Sequence, residues 1–251
     1  MTAIPQGRTR RAVTVAAMCA LAVTGTGLTG CGSEDPDAGT NGVGKLSAAA
    51  IQAKAKQAAE KAPAVRLSGT VVSGGTTYTL DMRLKSGGGT GSVTSKGAGF
   101  HLLRVGEHLF LKADAEFWAH EEGKDGGKAD TAAADKLEGM YVKVPTGDPA
   151  YKRFSGFTDK NVLLAGLLGL HGVLAKDGHH EQSGVRTIRI TGDKGSGGTL
   201  DVSLQGTPYP VVLGRAGNAG TLRLSDWGKD FPLAEPPEKD TVDYGQQLPS
   251  S

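Results

Sequence analysis

The chain is poor in most features that announce a chemistry. Of its 251 residues two are cysteine, 5% are aromatic, and Lys plus Arg exceed Asp plus Glu by only 28 to 26. Near-balanced charge, with no basic patch interleaved with aromatics, disfavours a nucleic-acid surface. The long uncharged run Ala12–Gly27 falls short of the ~20 apolar residues that a spanning helix needs. No fixed-period repeat is present, which sets aside propellers and solenoids. Glycine is what abounds, with 39 residues, an ordinary charged fraction of 22% and no Gly-X-Y period. That combination excludes collagen and disordered polyelectrolytes and points to a turn-rich β protein.

Catalytic and metal motifs are missing as well. Gly39–Lys45 has the spacing G-x-x-x-x-G-K, but Leu46 stands where a magnesium-binding Ser or Thr is needed and no strand precedes it, so it reads as linker. His179-His180-Glu181 is not followed by a second His in H-E-x-x-H spacing, and a solvated loop fits it better than a metal site. His101, His108, His120 and His171 are scattered. The G-x-S-x-G elbow is absent, Ser155-Gly156 being the nearest approach. Carboxylates that meet across a sheet would leave no mark in the sequence. The expectation is no enzyme, no metal and no cofactor.

The N-terminus carries the most specific signal. Arg8, Arg10 and Arg11 precede Ala12–Gly27, and Leu28-Thr29-Gly30-Cys31 follows. This is the order of a secretory signal peptide. Its ending resembles the bacterial lipobox, in which the Cys thiol is lipidated and becomes the new N-terminus. A plain signal peptide with a chance cysteine, or an anchor, is the alternative reading, and Arg10-Arg11 leaves general secretion and twin-arginine export both open. Residues 1–30 are therefore expected to be removed, 31–45 to hold lipidated Cys31 and a flexible tether about 20 Å in span, and 46–251 to form one domain with an extended, Pro-rich tail. Cleavage takes away Cys19 and the three arginines, which leaves 221 residues with 25 basic and 26 acidic side chains. A domain without a free thiol has no disulfide, zinc site or thiol nucleophile. Stable anchoring by the acyl groups on Cys31 would hold it on the outer face of the cytoplasmic membrane.

Within the domain, Leu46–Ala62 has helix-forming composition and stops at Pro63. Period-two alternation then begins. Val65, Leu67 and Val71 lead to a Gly74-Gly75 turn, and Tyr78, Leu80, Met82 and Leu84 return from it. Further short strands are expected near 91–96, 100–105 and 108–113, then loop and a short helix at 130–138, then a strand at Tyr141–Val144. Asp159 reads as the N-cap of a helix over Lys160–Ala175, whose apolar arc holds Leu163, Leu167, Leu170 and Leu174 together with Leu164 and Leu168. That arc is broad enough to pack on protein on one side and on something else apolar on the other. A polar loop at Lys176–Ser183 precedes a second hairpin, Ile188 and Ile190 against Leu200, Val202 and Leu204, with two more strands at Tyr209–Leu213 and Thr221–Asp226. Two blocks of antiparallel strands with helices between them make an α+β domain.

These apolar faces either close into a plain core or line a space for acyl chains. Glycine within strands favours strong curvature, and withdrawing a sixteen-carbon chain such as palmitate from a bilayer costs on the order of 10 kcal/mol, so a carrier needs a continuous lining. Leu, Ile, Val and Met, with few aromatics, would supply it.

The layout, from lipobox and tether to Thr207-Pro208-Tyr209-Pro210-Val211-Val212-Leu213, Leu224-Ser225-Asp226-Trp227-Gly228, Pro236-Pro237 and Val242-Asp243, resembles the LppX/LprG-type lipoproteins of actinobacteria over roughly Leu46–Tyr244. The resemblance implies a LolA-like fold, a strongly curved antiparallel half-barrel of about 10–11 strands with helices over its concave apolar face. It also implies a lipid or glycolipid ligand, transport to the cell envelope and a possible membrane transporter partner. Glu121–Lys128 is an insertion that departs from it. A sensor or interaction module of the same fold, with a filled core and no cargo, is the alternative.

Overall fold

In the computed structural model, residues 35–95, 98–114, 117–118, 136–243 and 245 are described. The expected signal segment, Cys31, His120, the Glu121–Lys128 segment and residues 130–135 of the expected short helix lie outside them.

Twelve strands form one unclosed, curved sheet in the order β12-β6-β5-β4-β3-β2-β1-β11-β10-β9-β8-β7. β1 (Ala64–Ser73), β2 (Thr76–Lys85), β3 (Gly88–Ser95), β4 (Ala98–Val105), β5 (His108–Ala113) and β6 (Tyr141–Val144) are one meander. β7 (Leu174–Gln182), β8 (Val185–Gly192), β9 (Thr199–Ser203), β10 (Pro210–Gly214) and β11 (Thr221–Ser225) are a second. The halves join where β1 pairs with β11, Gly69 opposite Leu222. At that seam Gly69 has φ +136°, and a Cβ there would collide with the Thr221 carbonyl oxygen. Gly91 does the same service against β2, where a side chain would meet Asp81 and Met82. Strand glycines thus let the backbones close up and bend.

Three helices lie on the concave face. α1 (Ala48–Lys61) is capped by Ser47, whose hydroxyl accepts from the Ala50 N–H, and ends at Ala62 before Pro63. Its buried stripe of Ala48, Ile51, Ala55 and Ala59 is small, so α1 sits close on β7–β10 and fills the second half of the core. α2 (Pro149–Thr158) packs on β3 and β4, and α3 (Lys160–Leu167) packs on α1 and α2. α2 has no counterpart in the sequence reading, although Asp148-Pro149 is a cap followed by proline at the first helical position, a start signal in plain view.

Four expectations are corrected. The helix expected over Lys160–Ala175 ends at Leu167, because backbone N–H groups beyond it are taken by other elements: Leu170 donates to Gln52 Oε1, His171 to the Gly197 carbonyl, and Val173 to Asp193 Oδ1. Lys176–Ser183 is not a loop, since residues up to Gln182 form edge strand β7. Both of its faces are wet, so no alternation marked it, and its charges suit an exposed edge. The tail is not merely extended. It crosses the convex face, with Lys85 Nζ donating to Asp230 Oδ1 and the Phe231 carbonyl (both 2.7 Å) and His108 Nδ1 2.6 Å from Glu235 Oε1, and ends as β12 (Thr241–Asp243) parallel to β6. Phe231, Leu103 and Phe110 are buried on that convex side. Finally, residues 35–45 of the expected tether are held on the domain. Asn41 Nδ2 donates to the Ser203 and Gly206 carbonyls, Lys176 Nζ donates to the Gly44 carbonyl, and Val43 is buried.

Behind β8 and β9 the convex face carries a two-pronged ion pair. Arg189 Nε and Nη2 donate to Asp201 Oδ1 and Oδ2 at 3.0 and 2.9 Å, and the Asp201 side chain is 1% exposed. Arg189→Ala is expected to lower stability by about 3 kcal/mol, because it strands a buried carboxylate. Gly69→Ala should cost a similar ~3 kcal/mol by forcing a Cβ into the seam, on the order of 10 °C in melting temperature. Thermal unfolding followed by circular dichroism checks both.

Candidate functional site

The first half of the sheet is covered differently from the second. Instead of the close alanine stripe of α1, the joint between α2 and α3 stands over it, and Arg104 of β4 holds that joint. Its guanidinium reaches up from the concave face, Nε to Thr158 Oγ1 (3.0 Å) and Nη2 to the Thr158 carbonyl (3.1 Å) and Asp159 Oδ2 (3.3 Å), while Nη1 donates to the Gly106 carbonyl (2.9 Å). Asp159, the N-cap expected from the sequence, accepts from the N–H groups of Asn161 and Val162. Lys160, 5% exposed, extends to α1 and donates to the Glu60 and Ala59 carbonyls at 2.9 and 3.4 Å. A cation at a helix C-terminus meets orphan carbonyls and the negative end of the dipole. Burial is the largest influence on the Lys160 amine and pulls its pKa below the usual lysine range, against the opposing charges of Asp159 and Glu60. Sheet, α2–α3 joint and α1 are thereby linked by polar contacts in addition to the buried Phe154, Leu164, Leu167 and Leu168.

Between them is a groove of about 550 Å³. Its floor is Val71 and Val72 of β1, Tyr78 and Leu80 of β2, Val93 and Ser95 of β3 and Phe100 of β4. Its walls are Phe154 and Phe157 of α2, Leu163 and Leu167 of α3, and Phe117, with Thr76, Arg153 and Arg215 completing the lining. Phe100 is the hub of the aromatic side, 5.2 Å from Phe117 and 5.3 Å from Phe154 between ring centroids, both tilted. Four of the six phenylalanines of the chain line this one groove. The sequence reading expected an aliphatic lining. One is on β4, one follows β5 and two are three residues apart on α2, so the four rings have no common period in the sequence.

The residues expected to line a cavity divide cleanly. Val71, Tyr78, Leu80, Leu163 and Leu167 do line the groove. Leu67, Met82, Leu84, Ile188, Ile190, Leu200, Val202 and Leu204 are at most 2% exposed and belong to the closed core. Leu170 and Leu174 are partly buried against that core and are not helical. Leu164 and Leu168, on the other side of the apolar arc, are also core, and Val162 is 61% exposed. Cys31 lies outside the described residues.

Other polar clusters have local partners. His179 Nε2 is 3.1 Å from Asp37 Oδ1, His180 meets the Asp177 carbonyl, and His101 is 2.9 Å from Thr90 Oγ1, its pKa held below the usual histidine range chiefly by burial. Ser155 sits inside α2 with its hydroxyl on the Lys152 carbonyl. Among the described residues, no group of three or more His, Cys, Asp and Glu side chains could hold a metal ion, and no helix is long and apolar enough to cross a membrane.

No protein-family model matches the chain, and a search of curated proteins finds no match. Solved structures do show likeness. LprF from Mycobacterium bovis is similar with a TM-score of 0.49 and 16% identity over 74% of this chain and 95% of that one. The Mycobacterium tuberculosis lipoprotein LppX gives 0.39 and 16% over 74% and 99%. An uncharacterized conserved protein from Thermus thermophilus gives 0.34 and 8% over 77% and 96%. The first two are lipoproteins of the type that the sequence layout resembles. At these identities and scores the likeness is one of chain layout and carries over no ligand or role.

Arg104→Met keeps an unbranched apolar stem and removes the guanidinium with its hydrogen bonds. It is expected to cost about 2 kcal/mol and to speed amide hydrogen exchange selectively in 149–167, with β1 and β2 unchanged, as measured by mass spectrometry.

Proposed function

We propose that this protein is an exported lipoprotein, held through Cys31 on the outer face of the cytoplasmic membrane, that takes acyl chains of lipid or glycolipid into the groove under α2 and α3 and assists their passage to the cell envelope without chemical change. The observation that carries the reading is the groove itself: concave, mostly apolar, and within the 300–1,000 Å³ range of small-molecule sites. Its deep end is aliphatic and dry, with Leu80 and Val93 at 3% and 1% exposure. The cover over it is held by the Arg104 and Lys160 hydrogen bonds, which can break and reform as a chain enters or leaves. The lipobox supplies the position: a domain tied close to the bilayer meets its ligand at the membrane surface. Transfer to a membrane transporter would complete the route.

The test is mass spectrometry of organic extracts from purified, membrane-expressed protein, with displacement of a fluorescent fatty-acid probe. Wild type should carry co-purifying lipid, and Leu163→Trp, which projects bulk into the groove from α3, should hold at least tenfold less with its melting temperature monitored in parallel. Cys31→Ser should move the chain from the membrane fraction to the soluble one. A wild-type protein with neither bound lipid nor displaceable probe refutes the reading, and specific capture of a protein partner by that same empty protein would favour a sensor or interaction module.

A further inference from the structure

The way the chain enters the fold decides which side of the domain meets the bilayer, on the footing that Cys31 is lipidated and begins the mature protein. Residues 35–45 are clasped to the second half of the sheet. Asn41 uses every polar group it has on this side: its backbone N–H donates to the Leu204 carbonyl (2.9 Å), Nδ2 donates to the Ser203 and Gly206 carbonyls (both 3.0 Å), and Oδ1 accepts from the Val43 N–H (3.1 Å). Val43 is 4% exposed, and Lys176 Nζ of β7 donates to the Gly44 carbonyl at 3.1 Å. Gly44 lies so close to Asp37 that a Cβ there would strike the carboxylate, and the Asp37 side chain, 11% exposed, has Oδ1 3.1 Å from His179 Nε2 of β7. A turn closed by the Ala38 N–H on the Asp35 carbonyl (2.7 Å), with the Lys45–Asp35 ion pair (2.9 Å), extends the held segment back to Asp35. Four residue steps then separate Asp35 from Cys31, and fully extended they reach about 14 Å. An undocked tether over 32–45 would reach about 50 Å. Acyl groups in the bilayer keep Cys31 at the headgroup level, so so short a leash draws Asp35, Asp37 and the strand that Asp37 touches down to the headgroups. β7 ends the sheet among the described residues, and its Lys176, Asp177 and Glu181 are exposed. Mixed charge of this kind keeps a free edge from pairing with another chain and suits a polar, hydrated layer.

We propose that the β7 edge, together with the docked segment 35–45, is the face that the domain turns to the phospholipid headgroups, and that docking of this segment fixes the orientation. The inference rests on the lipid anchor and not on what the groove carries. α2 packs on β3 and β4, and β3 is seven places from β7 in the sheet order, so α2 supplies a reference site away from the proposed face.

Removal of Cys19 and acylation of Cys31 leave the mature protein without a free thiol, so one introduced cysteine can carry a fluorophore. The test uses the full-length lipidated protein with Ala175→Cys or Glu181→Cys on β7, or Lys152→Cys on α2, all exposed positions, labelled with bimane and placed in phosphatidylcholine liposomes that carry a nitroxide on the lipid headgroup. Nitroxide quenching is short-ranged, so both β7 labels are expected to be quenched about threefold more than the α2 label. Inserting about ten Gly-Ser residues between Gly32 and Ser33 lengthens the leash without touching the docked segment, and should bring that ratio to near one. In the same liposomes, peptides covering 38–45 should exchange their amide hydrogens slowly. Equal quenching at the three sites, stronger quenching at position 152, a ratio that survives the insertion, or rapid exchange in 38–45 overturns the inference and leaves the anchor standing. A protein that fails to stay with the liposomes, behaving as Cys31→Ser should, overturns the anchoring itself.

Discussion

Everything in this fold follows from a mismatch of area. A twelve-stranded sheet of these strand lengths has a concave face of about 1,300 Å² by strand spacing and rise. Helices of 14, 10 and 8 residues cover about 480 Å² between them. Curvature makes up part of the difference by turning the sheet towards itself, and the strand glycines at Gly69 and Gly91 permit the bend. The remainder is resolved unequally. α1 brings an alanine stripe down onto β7–β10 and closes that half, whereas α2 and α3 close β1–β4 only in part: their joint touches β3 at Gly89 through the Thr158 carbonyl, and the groove is left beside it.

The joint has its own supports. Arg104 props it from the sheet, Asp159 caps α3 while accepting from Arg104, and Lys160 ties α3 to the last carbonyls of α1. Such contacts are directional and individually modest, about 1–3 kcal/mol each, and they add to the packing of Phe154, Leu164 and Leu168 in the core. An accessible groove and a stable domain coexist because both halves have a closed core, Met82, Leu84, Leu102 and Leu109 in the first and Ile188, Ile190, Leu200 and Val202 in the second, and the convex face adds Arg189 with Asp201 and the tail strand β12.

Much of the fold was legible in the residues. Alternation located the hairpins, Gly74-Gly75 located the first turn, Asp159 the cap of α3 and Pro63 the end of α1, because each depends on local periodicity or backbone stereochemistry. The failures share a cause too. Leu163, Leu167, Leu170 and Leu174 have helical spacing, yet the helix stops after Leu167 because Gln52, Gly197 and Asp193 accept the next amide protons, and these partners are distant in sequence. β7 and β12 are strands only because β8 and β6 offer them backbone partners. In the site, three residues read from alternation, Val71, Tyr78 and Leu80, and two read from helical spacing, Leu163 and Leu167, lie in the groove, but the four phenylalanines and two arginines that complete it come from elements with no shared pattern.

By itself, then, the sequence determined most of the local elements and the apolar faces of the hairpins, since these are set by neighbours along the chain. Only the tertiary structure decided which apolar residues became filled core and which became groove. Leu67, Leu200 and Tyr78 obey the same alternation, but packing closed over the first two and not over the third. The physical reason is that alternation specifies a face, whereas a cavity depends on how far the covering helix is held above that face. The placement of α2 and α3 depends on the hydrogen bonds of Arg104 and Lys160 and on buried contacts with β3, β4 and α1, long-range contacts that no local pattern encodes.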